Sequence, residues 1–272
     1  MEFEVELETA RDYVKGFITD TQGNKEEISV KTDQDSLSSL IKCIEEGARK
    51  YSCSARDLLK RAKWVKFVAP EMVMDTLDKK EGARIGLVVT KGQAQRAYFE
   101  GEGDNPAFGF IVAKEMIVAI DEEIGPEGEQ ILKPREEEVR DKVRYLLEFG
   151  AGIIVISLLN APRNPENERF VKEVIDSDYP RHYLGAVPVL VASDFSDARD
   201  DFLRTNVCLL NAYTWFNVDH FLRRVEAFLQ KNGYNYSLQV TQADGRADYI
   251  HRVTPLKTCV SDQIAFIKSI YG

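Results

Sequence analysis

The stretch Glu8–Asp20, E-T-A-R-D-Y-V-K-G-F-I-T-D, decides how this chain begins to fold. V-E-L precedes it and its own G-F-I-T is extended and partly alternating, so the pattern predicts a tight β-hairpin at the amino terminus. A strand–turn–strand opening of this kind can cradle a phosphate when its turn carries glycines and a hydroxyl. Glycine lets backbone N–H groups approach the anion closely, and Thr or Ser adds a neutral donor. Here the turn offers Ala10, Arg11, Asp12, Tyr13, Val14 and Lys15. Bulky side chains stand where glycine is wanted, and Asp12 repels a phosphate.

Outward from the hairpin, strand and helix signals alternate. I-S-V-K-T around Ile28 predicts a third short strand. Leu37, Leu40, Ile41, Ile44 and Ala48 recur at helical spacing, with Ser36 or Asp35 as N-cap, and Ser54 caps a second short helix. Trp64–Val68 reads as a strand, and Pro70 suits the first turn of a helix reaching about Lys80. Ile85–Thr90 is a buried strand and Gly101–Gly109 a loop. Pro134 opens a long amphipathic helix whose acidic first turn, Glu136–Glu138, complements the helix dipole and which stops at Gly150. Ile153–Leu158 and Val187–Ala192 are apolar runs typical of a parallel sheet covered on both faces, with a helix starting at Asn164 or Pro165 between them. Past Ser193 the pattern predicts two consecutive helices, Phe202–Trp215 and Val218–Lys231. A strand at Ser237–Thr241, a polar turn at Ala243–Ala247 and a last helix near Gln263–Tyr271 follow. The class is α/β, with a boundary expected near residue 193.

Composition narrows the function classes. The chain has 272 residues, 44% hydrophobic and 30% charged, with a net charge of −9, which argues against a nucleic-acid-binding surface. No run of about 18 apolar residues predicts a membrane span. M-E-F-E-V-E-L-E lacks the pattern of a signal peptide. Cys43, Cys53, Cys208 and Cys259 show no C-x-x-C pairing, so reduced thiols in a cytoplasmic protein are expected.

Three blocks carry a family resemblance. Glu81–Gly92, E-G-A-R-I-G-L-V-V-T-K-G, resembles the G-A-R-V-G-L-(L/V)-x-T-(K/R)-G block of the hydantoinase A/oxoprolinase family. Ile154–Phe170, I-V-I-S-L-L-N-A-P-R-N-P-E-N-E-R-F, is similar to that family's V-S-L-L-x-S-x-x-N-P-x-H-E-R. Pro188–Tyr213, with P-V-L-V-A-S-D-F-S, R-T and L-N-A-Y, resembles a third block. S-A-R-D-L-L near Leu58 and the D-T-L before the G-A-R block lean towards subunits of ATP-dependent acetone and acetophenone carboxylases. The resemblance runs from Glu8 to about Asp262. It implies a ribonuclease-H-like, actin/hexokinase-type lobe at 1–192, followed by a smaller α+β segment at 193–272 that begins the family's second domain.

Set against that family, the chain departs at the phosphate loops. On D-x-G-G-T-F-T-D-x-x-x-x-D only Glu8, Thr9, Tyr13 and Asp20 fit. The glycines become Ala10 and Arg11, the phosphate-facing Thr becomes Asp12, and the second acid becomes Lys15. The family's G-T-T-x-x-N-T-L reads P-E-M-V-M-D-T-L, with Pro70, Glu71 and Met72 in place of small and hydroxyl residues and Asp75 for Asn. Full-length members continue into a second lobe with another glycine-pair loop. This chain ends at Gly272, shortly after Ser261, Asp262 and Gln263, where the family has an S-G-P turn. A half-site with altered loops is the expectation, and it lacks the positioned donors that Mg-nucleotide needs.

Other clusters weigh less. His182, His220 and His251 lie far apart and read as structural or surface residues. Asp194, Asp197, Asp200 and Asp201 have carboxylates enough for a cation but suit a helix start better, with Arg199 and Arg204 neutralising them. Asn164–Arg169, N-P-E-N-E-R, reads as helix initiation. G-E-G-D-N-P (Gly101–Pro106) lacks the spacing of a dinucleotide loop. Neither a G-x-S-x-G elbow nor an H-E-x-x-H pair occurs. Cys208 and Cys259 sit among apolar residues as buried thiols.

No residue is therefore assigned a catalytic, cofactor-binding or metal-binding role. The resemblance implies a non-catalytic structural subunit of a biotin-independent, ATP-dependent ketone carboxylase. ATP and Mg would sit in its partners, hydantoinase A-like and hydantoinase B-like subunits. Two rivals are an active subunit using Arg11 and Lys15 as point charges on phosphate, completed by a partner, and a free-standing small-molecule-binding regulatory protein.

Overall fold

A computed structural model describes residues 2–10, 12–32, 36–68, 71–92, 108–179, 187–242, 244–259, 264, 265 and 267. Two compact units emerge, residues 1–79 with 215–265, and residues 80–214 with 266–272.

Strict alternation builds the first unit. In β1 (Phe3–Thr9) Phe3, Val5 and Leu7 are buried while Glu4, Glu6 and Glu8 are half-buried. β1 pairs antiparallel with β2 (Tyr13–Asp20), and β2 pairs antiparallel with β3 (Lys25–Lys31). On its other side β1 runs parallel to β4 (Ala62–Val68), which runs parallel to β11 (Gln239–Thr241). β12 (Ala247–Tyr249) closes that edge as a hairpin with β11. The order β12-β11-β4-β1-β2-β3 contains the ribonuclease-H-like arrangement, three antiparallel strands followed by parallel ones.

Helices cover one face of this sheet. α1 (Ser36–Lys50) lies on β2 and β3, so close that a Cβ at Gly16 would stand 2.7 Å from the Cys43 sulfur. Ser54 caps α2 (Ala55–Lys60) by accepting the Asp57 N–H at 3.0 Å. Phe221 meets Phe67 edge to face at 5.6 Å. The Tyr234 hydroxyl accepts the Val65 N–H at 2.9 Å.

The second unit is a parallel sheet. β5 (Ile85–Thr90), β6 (Ile117–Ile120), β9 (Ile153–Ser157) and β10 (Val189–Val191) take the order β10-β9-β5-β6, all parallel. Every residue of β5 and β9 is buried, as expected for strands covered on both faces. α5 (Glu136–Glu148) lies against β6 and β5, and α6 (Glu166–Asp178) against β9 and β10. α5 ends where Gly150 takes φ +88°, a left-handed conformation that stops the helix. A helical turn, α4 (Phe108–Ile111), precedes β6, and β7 (Glu123–Ile124) pairs antiparallel with β8 (Gln130–Leu132).

Several expectations change. The two helices predicted after Ser193 are one, α7 (Asp201–Lys231). Its middle, T-W-F-N at 214–217, holds neither Gly nor Pro, and buried Val218 and Phe221 carry the apolar stripe onward. Residues 201–214 of α7 belong to the second unit and 215–231 to the first. The compact units thus part at 79/80 and 214/215, whereas residue 193 lies inside the second unit, just after β10. β6 to β8 and β12 have no counterpart in the sequence reading, being two to four residues long. Asp35, the Ser36 side chain, Pro70, His182, most of the Gly101–Gly109 loop and most of the last predicted helix lie outside the described residues.

Candidate functional site

In the first unit, the β1–β2 turn is the place the sequence marked for a phosphate. The pairing runs to Thr9 opposite Val14. Beyond it the Ala10 N–H donates to the Tyr13 carbonyl at 2.9 Å, and the Thr32 N–H donates to the Asp12 carbonyl at 2.9 Å. These bonds tie turn amides and carbonyls to the hairpin itself and to the end of β3. Lys15 lies within β2, ion-paired with Glu27 at 3.3 Å. Arg11 falls outside the described residues. Asp20 ends β2 as a turn residue, accepting from the Gln22 and Asn24 backbones at 2.8 and 2.9 Å.

The second marked segment is helical. α3 (Met72–Lys79) buries Val73 and Leu77, and the Thr76 hydroxyl donates to the Met72 carbonyl at 2.6 Å. Asn217 donates to that same hydroxyl oxygen at 3.0 Å, and Asp75 pairs with Lys79 at 3.4 Å.

In the second unit, polar residues converge at the carboxyl ends of the parallel strands, the edge where open α/β sheets place ligands. Thr90, last in β5, accepts the Leu159 N–H at 2.9 Å and donates to one oxygen of Glu122. Asn167 donates to the other Glu122 oxygen at 2.7 Å and to the Leu132 carbonyl at 3.0 Å, while accepting from Gln130 at 2.6 Å. Glu168 accepts the Leu158 N–H at 2.9 Å and the Ser193 N–H at 3.2 Å. Arg204 reaches the Leu158 carbonyl and pairs with Asp201. Ser157 and Thr205 share a 2.7 Å hydroxyl contact.

This geometry braces the strand ends. Glu122 and Glu168 are 4% and 0% exposed, and both oxygens of each are already engaged. Burial pushes both carboxyls above the ordinary carboxylate range, against hydrogen bonds that favour the charged form. A raised carboxyl in a cleft is a general-acid signature, yet these two are sealed from solvent.

Because burial raises Glu122, the folded state binds its proton more tightly than the unfolded state, and stability falls as pH rises above the unfolded value. Glu122→Gln removes that ionisation and sets an amide against donors that need acceptors, at a cost of about 1–3 kcal/mol. The stability gap between wild type and variant is expected to widen as pH falls from neutrality through the raised value towards the ordinary one. Urea midpoints across that range check this, and a pH-independent gap contradicts it.

The other predicted residues have plain roles. Asp200 caps α7, accepting the Phe202 and Leu203 N–H groups at 2.9 and 3.1 Å, so the aspartate cluster begins a helix. Among the described residues no group of three or more His, Cys, Asp or Glu could hold a metal. His220 is exposed, and exposed His251 stacks on Tyr249 at 5.9 Å. Burial pushes the Cys43 and Cys259 thiols up to about 12 and Cys208 well above its ordinary value. Asn167 and Glu168 do lie in the first turn of α6, as the helix-initiation reading expects, and from there they also hold the strand ends. Glu122 escaped notice because it follows β6, a four-residue strand that the sequence pattern does not reveal. A groove of about 690 Å³ between β6 and α5 is lined by mixed charges, among them Glu138, Asp141, Arg135 and Lys142.

The motif blocks meet in this unit. A Cβ at Gly82 would stand 2.4 Å from the Tyr213 ring, and the Ala83 N–H donates to the Tyr213 carbonyl at 2.8 Å.

Comparison with known proteins agrees with those blocks. The model of the hydantoinase/oxoprolinase N-terminal region matches residues 17–178, more than half of the chain. The acetophenone carboxylase gamma subunit of Aromatoleum aromaticum is 27% identical over 234 residues, 80% of this chain and 32% of that protein. The acetone carboxylase beta subunit of Xanthobacter autotrophicus is 24% identical over 230 residues, 79% of this chain and 32% of that protein. The chain thus spans about a third of these relatives. Among solved structures, nucleotide-free acetone carboxylase superposes with a TM-score of 0.78 at 21% identity, covering 97% of this chain and 39% of the other. The ATP-dependent caprolactamase of Pseudomonas jessenii gives 0.80 at 16% identity, covering 94% and 38%. At these identities the likeness speaks for the fold, the actin/hexokinase-like, ribonuclease-H-type lobe. Among the described residues no helix is long and apolar enough to cross a membrane.

Proposed function

Because the chain belongs to the hydantoinase/oxoprolinase N-terminal region family, we propose that it is a non-catalytic, structural subunit of a biotin-independent, ATP-dependent ketone carboxylase. Its curated relatives are named as subunits of acetophenone and acetone carboxylases. Its partners are hydantoinase A-like and hydantoinase B-like subunits in the cytoplasm, and ATP and Mg bind in those partners.

The observation that carries this reading is the state of the two phosphate elements. The hairpin turn presents Asp12 and ties its backbone to Tyr13 and Thr32, where the family places a glycine pair and a threonine. Pro70, Glu71 and Met72 stand where the family places G-T-T, just ahead of and at the start of the Met72–Lys79 helix. Lys15, one of the two cations a rival phosphate site would use, is held by Glu27. A nucleotide phosphate needs converging N–H donors, and these residues do not fit that need. The polar residues of the motif blocks brace the parallel sheet, as a retained scaffold requires.

Calorimetric titration of the isolated chain with Mg-ATP tests the reading. The expected result is no saturable heat at millimolar nucleotide. Micromolar binding overturns it.

A further inference from the structure

The second face of the first unit's sheet carries no helix among the described residues. Every side chain on it from β4, β1, β2 and β3 is exposed or half-exposed, whereas the opposite face is buried along β4, β1 and β2 and at Ile28 of β3. The strand registers fix its pattern in rows. One row runs Lys66, Glu6, Phe17, Glu27 across the four strands, and the next runs Val68, Glu8, Lys15, Ser29. Trp64 stands beside Glu4 in the row on the other side, with the Lys66 ammonium 4.0 Å from the centre of its ring. Trp64 and Phe17 thus stand on this face amid charges of both signs.

We propose that this face is a self-complementary docking surface whose occupant is a second copy of the chain. The charge pattern selects the arrangement. A two-fold axis parallel to the strands and midway between β1 and β2 lays β4 over β3 of the second copy and β1 over its β2. Each row then meets itself reversed. Lys66 faces Glu27 of the second copy, Glu8 faces Lys15 and Glu6 faces Phe17, so the Lys15–Glu27 ion pair within each chain extends into an alternating cluster across the contact, and symmetry repeats every pair. The other in-plane two-fold axis, perpendicular to the strands, lays β1 over β1 of the second copy, so that Glu4, Glu6 and Glu8 meet one another whichever row it passes through. Like charges at that distance exclude it. Aligned packing of two sheets is an established way of covering such faces, and an isologous contact closes at a dimer.

Sedimentation velocity of the full chain, from low micromolar to several hundred micromolar, tests the proposal. The expected result is a monomer–dimer equilibrium. K66E places like charges opposite each other and raises the dimer dissociation constant roughly tenfold or more. E27K does the same. Combining K66E with E27K restores the pairing and returns the constant towards wild type. Both positions are solvent-facing, so unchanged circular dichroism confirms that each variant is folded. A chain monomeric throughout, or a dimer indifferent to K66E, overturns the proposal. So does a double variant no tighter than the singles, or a dimer replaced by a stoichiometric complex in which a sister subunit occupies this face.

Discussion

Arg204→Met is expected to lower the unfolding free energy by about 3–5 kcal/mol, the range for breaking a buried ion pair from one side. The arginine side chain is fully buried, with one guanidinium nitrogen on the Leu158 carbonyl and another on Asp201. Its charge also favours the ionised form of Glu168, which is sealed at the same strand ends. Without it, the Leu158 carbonyl loses a donor and the Glu168 carboxylate loses its nearby cation inside protein. Methionine matches the stem but supplies neither. Coupling is the sharper expectation. Glu168→Met alone strips acceptors from the Leu158 and Ser193 N–H groups. The double variant no longer buries a lone charge, so its loss should fall short of the summed singles by at least about 1 kcal/mol. Urea unfolding of the four proteins measures this, and simple additivity contradicts a shared electrostatic role.

Gly82→Val is expected to cost about 3 kcal/mol, at the upper end of overpacking. A Cβ there meets three atoms of the Tyr213 ring at 2.4–2.5 Å. The ring cannot step aside, being 3% exposed and packed edge to face with Phe110 at 5.6 Å. Moving the backbone instead stretches the bond from the Ala83 N–H to the Tyr213 carbonyl. Shrinking the ring separates the two explanations. Tyr213→Leu opens a cavity and destabilises wild type, but in the Gly82→Val background it makes room. If thermal unfolding shows the two changes adding without relief, steric contact is not the cause.

Both predictions concern residues inside the motif blocks, and they show where sequence reading reached its limit. The blocks are visible in one dimension as G-A-R, S-L-L, N-E-R, R-T and L-N-A-Y. Gly82 and Tyr213 are 131 positions apart (213 − 82), so no local pattern announces that one leaves room for the other. Glu168 follows a proline at the start of a helix, and helix initiation was the natural local reading. Its partners, Leu158 N–H and Ser193 N–H, are assembled only by parallel pairing of β9 with β10.

Local pattern alone reveals the opening hairpin, the parallel core strands, the α5 stop at Gly150 and the residue types that stand at the family's two phosphate-loop positions. Each rests on local periodicity, on glycine's backbone freedom, or on residue identity at a motif position. Packing of distant segments settles the rest: the long carboxyl-side helix is continuous, Glu122 and Glu168 are sealed braces, and one sheet face carries no helix among the described residues, with its charges in register. Those outcomes depend on which strands lie side by side. Strand pairing brings together residues tens to more than a hundred positions apart, and burial then fixes whether a carboxylate faces water or the backbone it holds.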